Sequence, residues 1–335
     1  VSKISKADII RQVITKTGLT KKKEIARYLV EHYPNEFTDL EKARTLVRAV
    51  TGAAGEEKRA EFKNPEKFKF FTNGFETWAS ENLNVEGRPW DTPFEIPSSI
   101  KVLNVIADLH SIHMDYRVME KFLKDVKDKT AVLINGDLLD SESLSRHIKQ
   151  HNLIGYEKEL EICHNILKGL KEEFDHVYFK AGNHDFWLER YLLINAREIF
   201  RLRGLQIEEL LQCGALGVHF IHNLRYIKYG DLDIIHGHEF SSGFGAGKFP
   251  AAGYVDKWQT FKKAYDVKIL ASHCHRQDIV MSRRSKDGQY GIGWVTPAFC
   301  RKSAQYNPYA GWDNGWTELV NKDGKVEVTI HIINI

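Results

Sequence analysis

With 335 residues, 42% of them hydrophobic and 28% charged, the chain has room for one large domain or two modest ones. Its apolar content is enough for a packed core, which excludes a disordered or low-complexity protein. No apolar run approaches the roughly 18 residues of a membrane span, and the opening VSKISKADII lacks the apolar segment of a signal peptide, so a cytoplasmic protein with no membrane partner is expected. The net charge is only +3, yet residues 1–60 carry 13 Lys and Arg against 8 Asp and Glu, which concentrates positive charge at the front.

Residues 1–60 read as three short helices. Ser5 can cap the first, with Asp8 three residues on. Thr20 precedes a second that buries Ile25 and Leu29 and ends before Pro34. Thr38 and Glu41 in TDLE form a capping-box pattern for a third, with Leu40, Ala43, Val47 and Val50 at helical spacing. A basic three-helix module of this kind is helix-turn-helix-like, and two roles stay open for it, contact with DNA or docking of a protein. Residues 61–100 contain Pro89, Pro93 and Pro97 and read as an extended linker. From 101 to 335, apolar strand-like runs alternate with helical stretches, the pattern of an α/β domain.

Each of these runs ends in the same kind of residue. KVLNVIADLH closes on Asp108 and His110, KTAVLINGDLLD on Asp137 and Asp140, and HVYFKAGNHD on Asn183, His184 and Asp185. LDIIHGHE closes on His236 and His238, and VKILASHCH on His273 and His275. Loops at the carboxyl ends of strands in α/β sheets share one rim, so five such clusters can converge. Cys and His in SHCH also suit a zinc knuckle, but the four cysteines are scattered with no CxxC pair. Carboxylate and imidazole donors without thiolates instead suit divalent manganese, iron or zinc, and a carboxylate such as Asp137 can bridge two cations. Arg146, Arg276 and His238 lie beside these clusters as candidate contacts to a substrate phosphate. The glycine-rich SSGFGAGKFP reads as an active-site loop, since it lacks the spacing of a phosphate cradle.

In this order, DLH, GDLLD, GNHD, HGH and SHCH resemble the five signature blocks of the calcineurin-like metallophosphoesterase superfamily. GNHDFWLERYLL is further similar to its phage-associated and bacterial members. The resemblance implies a four-layer α/β domain over residues 101–335, two sheets packed face to face with helices outside, here preceded by the small all-α domain. It implies two divalent metal ions, manganese first, with iron, zinc or nickel as alternatives. Asp108, His110 and His275 would hold one metal, Asn183, His236 and His273 the other, and Asp137 would bridge them. His184 would contact the scissile phosphate and protonate the leaving oxygen, with Asp185 orienting it. Where the last block usually reads GHTH, this chain has Ser272 and Cys274, which leaves every ligand in place. The expected activity is hydrolysis of phosphodiester bonds in nucleic acid or nucleotides. The alternative is a phosphomonoesterase acting on a phosphoprotein or small phosphate ester, its helical module docking a protein.

Overall fold

Capping and a spaced apolar stripe form the amino-terminal helices. In the computed structural model, which describes residues 5–51, 92–145, 154–240, 250–301 and 311–334, these helices are α1 (Lys6–Thr17), α2 (Lys22–His32) and α3 (Leu40–Val50). The Ser5 hydroxyl accepts from the amide of Asp8, and Gly18 closes α1 in the left-handed conformation. Two caps differ from the sequence expectation. Lys21, not Thr20, occupies the cap of α2 and makes no side-chain bond there, and α3 is capped by Asp39 rather than Thr38. A carboxylate accepts more strongly from the free N–H groups and also interacts favourably with the helix dipole. Ile10, Val13, Ile25, Leu29, Ala43 and Val47 form a core belonging to this unit. Some of its basic charge is paired locally, Arg11 with Asp8 at 2.7 Å and Arg44 with Glu41 at 2.5 Å.

The chain divides into two units, residues 1–85 and 86–335. Most of the expected linker lies outside the described residues. Its end supplies β1 (Phe94–Glu95), paired in parallel with β6 (Ile227–Tyr229) of the second unit.

In the second unit, the near-continuous apolar runs at 102–106, 131–135, 176–180 and 268–271 form strands buried along almost their whole length. One six-stranded sheet contains β2 (Val102–Ile106), β3 (Ala131–Asn135), β4 (His176–Lys180) and β5 (Val218–Ile221) in parallel. It is extended by the antiparallel pair β11 (Gly315–Lys322) and β12 (Lys325–Ile332), in the order β12-β11-β2-β3-β4-β5. The other adds β7 (Leu232–Ile234), β8 (Lys268–Ala271), β9 (Asp278–Met281) and β10 (Ile292–Val295) to β1 and β6, in the order β1-β6-β7-β8-β10-β9. Strand alternation sorts the side chains. Leu103, Val105, Leu133, Tyr178, Ile234 and Leu270 fill a core between the sheets. Val132, Ile134, Val177 and Phe179 point the other way, into a core shared with α4 (Tyr116–Asp125) and α5 (Tyr156–Glu173). Ile269, Ala271 and Val295 pack with Tyr254, Val255 and Trp258 of α7 (Pro250–Lys262), which follows α6 (Trp187–Asn195) in the chain. The result is the expected helix, sheet, sheet, helix order. Among the described residues, no helix is long and apolar enough to cross a membrane.

Candidate metal centre

The carboxyl ends of β2, β3 and β4 in one sheet and of β7 and β8 in the other meet at one rim. The turns after β2, β3 and β8 are tight and hold their polar residues in the left-handed region. Asp108, His110, Asp137, His273 and His275 all have positive φ, between 42° and 70°. Such a conformation costs a non-glycine residue about 1–3 kcal/mol and persists only where the surroundings hold it. Five of the seven expected ligands are therefore held in strained turns. The motif glycines are required by contact as well as by conformation. A Cβ on Gly136, whose φ is 91°, would lie 2.1 Å from Nδ1 of His236, and one on Gly182 would lie 2.2 Å from Oδ1 of Asp137.

The turns bring the donor atoms together in overlapping groups. One atom each from Asp108, His110 and His275 lie within 4.8 Å of one another, as do atoms from Asp137, His236 and His273. Asp137 stands between the groups: its Oδ2 is 3.2 Å from Nε2 of His236 and 3.9 Å from Nε2 of His110. Its Oδ1 accepts from the His184 amide at 2.9 Å. Asn183 places Oδ1 3.2 Å from Nε2 of His236. The ring of His236 is oriented by an Nδ1–H bond to the Asn135 carbonyl at 2.8 Å, which directs Nε2 into the site. These positions suit cations on two counts. Oδ1 of Asp108, in a side chain with no exposure, makes no hydrogen bond, although Nε2 of His275 lies 3.3 Å away. Nε2 of His110 and Nε2 of His275 face each other at 3.2 Å, two nitrogens directed at one place. A divalent ion among such oxygens and imidazoles matches their chemistry.

Burial alone would raise the Asp137 carboxyl, but the imidazoles of His236 and His184 outweigh it and hold it well below the usual carboxylate range. His236 is disfavoured as a cation by burial, yet the carboxylates of Asp137 and Asp108 raise it to about 9. For His273 burial prevails and lowers the ring to about 4, with the neighbouring His236 adding to the effect. The site is a ring of carboxylates and imidazoles whose charges answer one another across the two sheets.

The profile of the calcineurin-like phosphoesterase family matches residues 102–291. The chain belongs to that family. No curated protein matches it in sequence. Among solved structures it is similar to a metallophosphoesterase from Sphaerobacter thermophilus, at 17% identity and a TM-score of 0.38, covering 70% of this chain and 88% of that one. It is also similar to Vacuolar Protein Sorting 29 from Cryptosporidium parvum, at 15% identity and a TM-score of 0.34, covering 70% and 98%. A third is a putative diadenosine tetraphosphatase, at 11% identity and a TM-score of 0.36, covering 71% and 96%.

In this calcineurin-like phosphoesterase, His184 sits at the rim with a nitrogen within 4.8 Å of donor atoms of His110 and Asp137. Its Nδ1–H donates to the Asp140 carbonyl at 2.7 Å, and its ring stacks on Trp187 with centroids 4.5 Å apart. Asp185 does not orient it. That carboxylate accepts from the amides of Leu139 at 2.8 Å and Gly182 at 2.7 Å, tying the two ligand loops together. Burial, with the Asp137 charge nearby, raises Asp185 to about 7. The orienting group is Asp140, whose Oδ1 is also 2.9 Å from Nδ1 of His110.

The ring of His238 lies beside that of His236, with centroids 5.3 Å apart. Neither ring nitrogen makes a hydrogen bond, although Nδ1 lies 3.7 Å from Oε2 of Glu239, and burial lowers the ring to about 3. Arg276 is half-buried directly after His275. Arg146 and the glycine-rich residues 241–249 lie outside the described residues. Cys274 turns to the Tyr254 hydroxyl at 3.1 Å, and burial raises its thiol to about 11, so it takes no part in the donor groups. Ser272 uses its hydroxyl to join the sheets, donating to the Asn135 carbonyl at 2.8 Å and accepting from the Asn135 side-chain amide at 2.7 Å.

Sequence reasoning missed the bracing residues. Glu159 of α5 accepts from the amides of Asp140 and Ser141, at 2.6 and 3.0 Å. Glu239 accepts from the amides of His236 and Gly237, at 3.0 and 2.6 Å, and pairs with the fully buried Lys180 at 2.9 Å. The one available signal was an acidic residue immediately after HGH. Glu159 has none, because it is remote in sequence on an ordinary helix.

Proposed function

We propose that this phosphoesterase hydrolyses phosphodiester bonds of nucleic acid or nucleotides at a two-metal centre. The observation that carries the reading is Asp137 Oδ2, a single buried oxygen lying between two imidazole-bearing groups at 3.2 and 3.9 Å. Asp108, His110 and His275 would hold one divalent ion, Asn183, His236 and His273 the other, and Asp137 both, with manganese the first candidate. Bound there, the ions supply Lewis acidity at the phosphoryl oxygens and an activated water.

The protein's own groups do the rest. The Asp140 carbonyl fixes the Nδ1 proton of His184, so Nε2 is the atom that faces substrate and hands a proton to the leaving oxygen. The Trp187 face holds that ring in plane. Arg276, directly after the last expected ligand, would meet a phosphate oxygen. Positive charge over residues 1–60 gives the helical module an attraction for a nucleic-acid backbone.

The test is hydrolysis, with added manganese, of bis-p-nitrophenyl phosphate, p-nitrophenyl phosphate, and single- and double-stranded DNA. Cleavage of the diester and of DNA is the expected result. Cleavage of the monoester alone would transfer the proposal to a phosphomonoesterase.

A further inference from the structure

The helix that follows His184 carries an apolar and aromatic stripe that the described residues leave partly exposed. In α6 the buried residues are Glu189 and Leu192. Trp187, Arg190, Tyr191 and Ile194, at i, i+3, i+4 and i+7, share another face, a spacing that normally lines a core. Here Tyr191 is 47% exposed and Ile194 53% exposed. With Leu144 of the 3-10 turn Glu142–Leu144 opposite, they line a groove of about 390 Å³. That volume falls in the range of small-ligand sites, about 300–1,000 Å³.

Three observations select the occupant. The groove continues the proposed catalytic site: the ring of His184 lies 4.7 Å from the His110 ring, and Trp187, which lines the groove, stacks on His184 at 4.5 Å with an interplanar angle of 17°. A group leaving past His184 therefore arrives beside Trp187. The lining is aromatic and cationic together, Trp187 and Tyr191 with Arg190, which makes no ion pair among the described residues. Aromatic faces and a guanidinium plane suit a flat ring with a polar edge. Among the described residues the groove is lined by one helical face of about two turns and one 3-10 turn, a scale that suits a single flat ring.

We infer that this groove is a nucleobase subsite, holding the base of the nucleoside that leaves past His184. The inference rests on the phosphodiesterase reading for its direction, but it can be tested by binding alone. Adenosine 5′-monophosphate and ribose 5-phosphate share sugar and phosphate and differ in the base. Calorimetric titration of each into the manganese-loaded full chain measures what the base contributes.

Base stacking on one aromatic side chain predicts that the nucleotide binds at least about fivefold more tightly than the sugar phosphate. Tyr191→Ala should bring the two affinities together, and Tyr191→Phe, which keeps the ring face, should restore the difference. Equal affinities in the wild-type chain would overturn the subsite, as would a preference that survives Tyr191→Ala. If the groove is instead closed by a second copy of the chain, sedimentation will show a dimer that Tyr191→Ala dissociates, with no preference for the base. Hydrolysis of bis-p-nitrophenyl phosphate by the same sample separates the two ideas: its absence counts against the phosphodiesterase reading, whatever the titrations show.

Discussion

Gly182→Ala tests whether the loop carrying Asn183 and His184 is pressed against Asp137. The added methyl would stand 2.2 Å from Oδ1 and 2.5 Å from the amide nitrogen of Asp137. Neither atom has room to retreat, because Asp137 is buried and its φ of 53° already holds a strained turn. Relief must come from moving the carboxylate or the 181–185 loop. Overpacking of this kind costs about 1–3 kcal/mol, which for a unit of this size lowers Tm by about 2–12 °C. A displacement near 1 Å at reacting groups costs about a hundredfold in rate. Thermal unfolding, metal content and turnover of the purified variant should all fall together. Gly169→Ala is the control: it lies within α5 with nothing within 4 Å of the added carbon, so it should raise stability by about 0.5–1 kcal/mol and leave turnover alone. A Gly182→Ala protein with wild-type Tm, metal content and rate would refute the close contact on which the bridging geometry depends.

His184→Asn should keep both metals, by elemental analysis, while turnover falls by about 10²–10⁴. The loss should be larger on an alkyl ester than on a p-nitrophenyl ester, whose leaving group needs little protonation, and equal losses would leave His184 with a positioning role alone. Glu189 is raised to about 7 by burial, with Glu208 adding to it. Its folded value exceeds its unfolded one, so the buried carboxyl is tolerated below about pH 4.5 and destabilises the fold as pH rises through 7. Glu189→Gln should therefore stabilise chelator-treated protein by about 1–2 kcal/mol at pH 8, allowing for partial solvent access, and by little near pH 4; urea unfolding showing the reverse order would mean the carboxylate is stabilised where it lies. Cys274→Thr should retain metals and activity, since the sulfur faces Tyr254, and a large loss of metal would restore the thiolate as a ligand.

The rim was legible because each expected ligand follows an apolar run long enough to be a buried strand, and strand ends in parallel sheets share an edge. Asp108, Asp137, Asn183, His236, His273 and His275 could be named from that pattern and from the resemblance, and the structure brings them together. What was not legible depends on side-chain direction. Asp185 follows His184 in sequence, but after the tight GNHD turn its carboxylate reaches backbone amides while Asp140, from another strand end, supports His184. Glu159 and Lys180 act across long sequence separations through buried charge, which no local spacing reports. The same holds for Ser272, where the departure from GHTH places a hydroxyl that bridges β3 and the turn after β8. At the amino end, helix positions followed from periodicity, whereas Asp39 displaced Thr38 as cap because neighbouring polar residues compete for the same amides.

Anomalous diffraction from crystals of the full chain grown with manganese tests the central claim most directly. Two peaks are predicted at the rim, about 3.5–4 Å apart. One should be bound by Asp108, His110 and His275, the other by Asn183, His236 and His273, with Asp137 on both. A single peak, or a pair that leaves Asp137 on only one metal, would contradict the two-metal account.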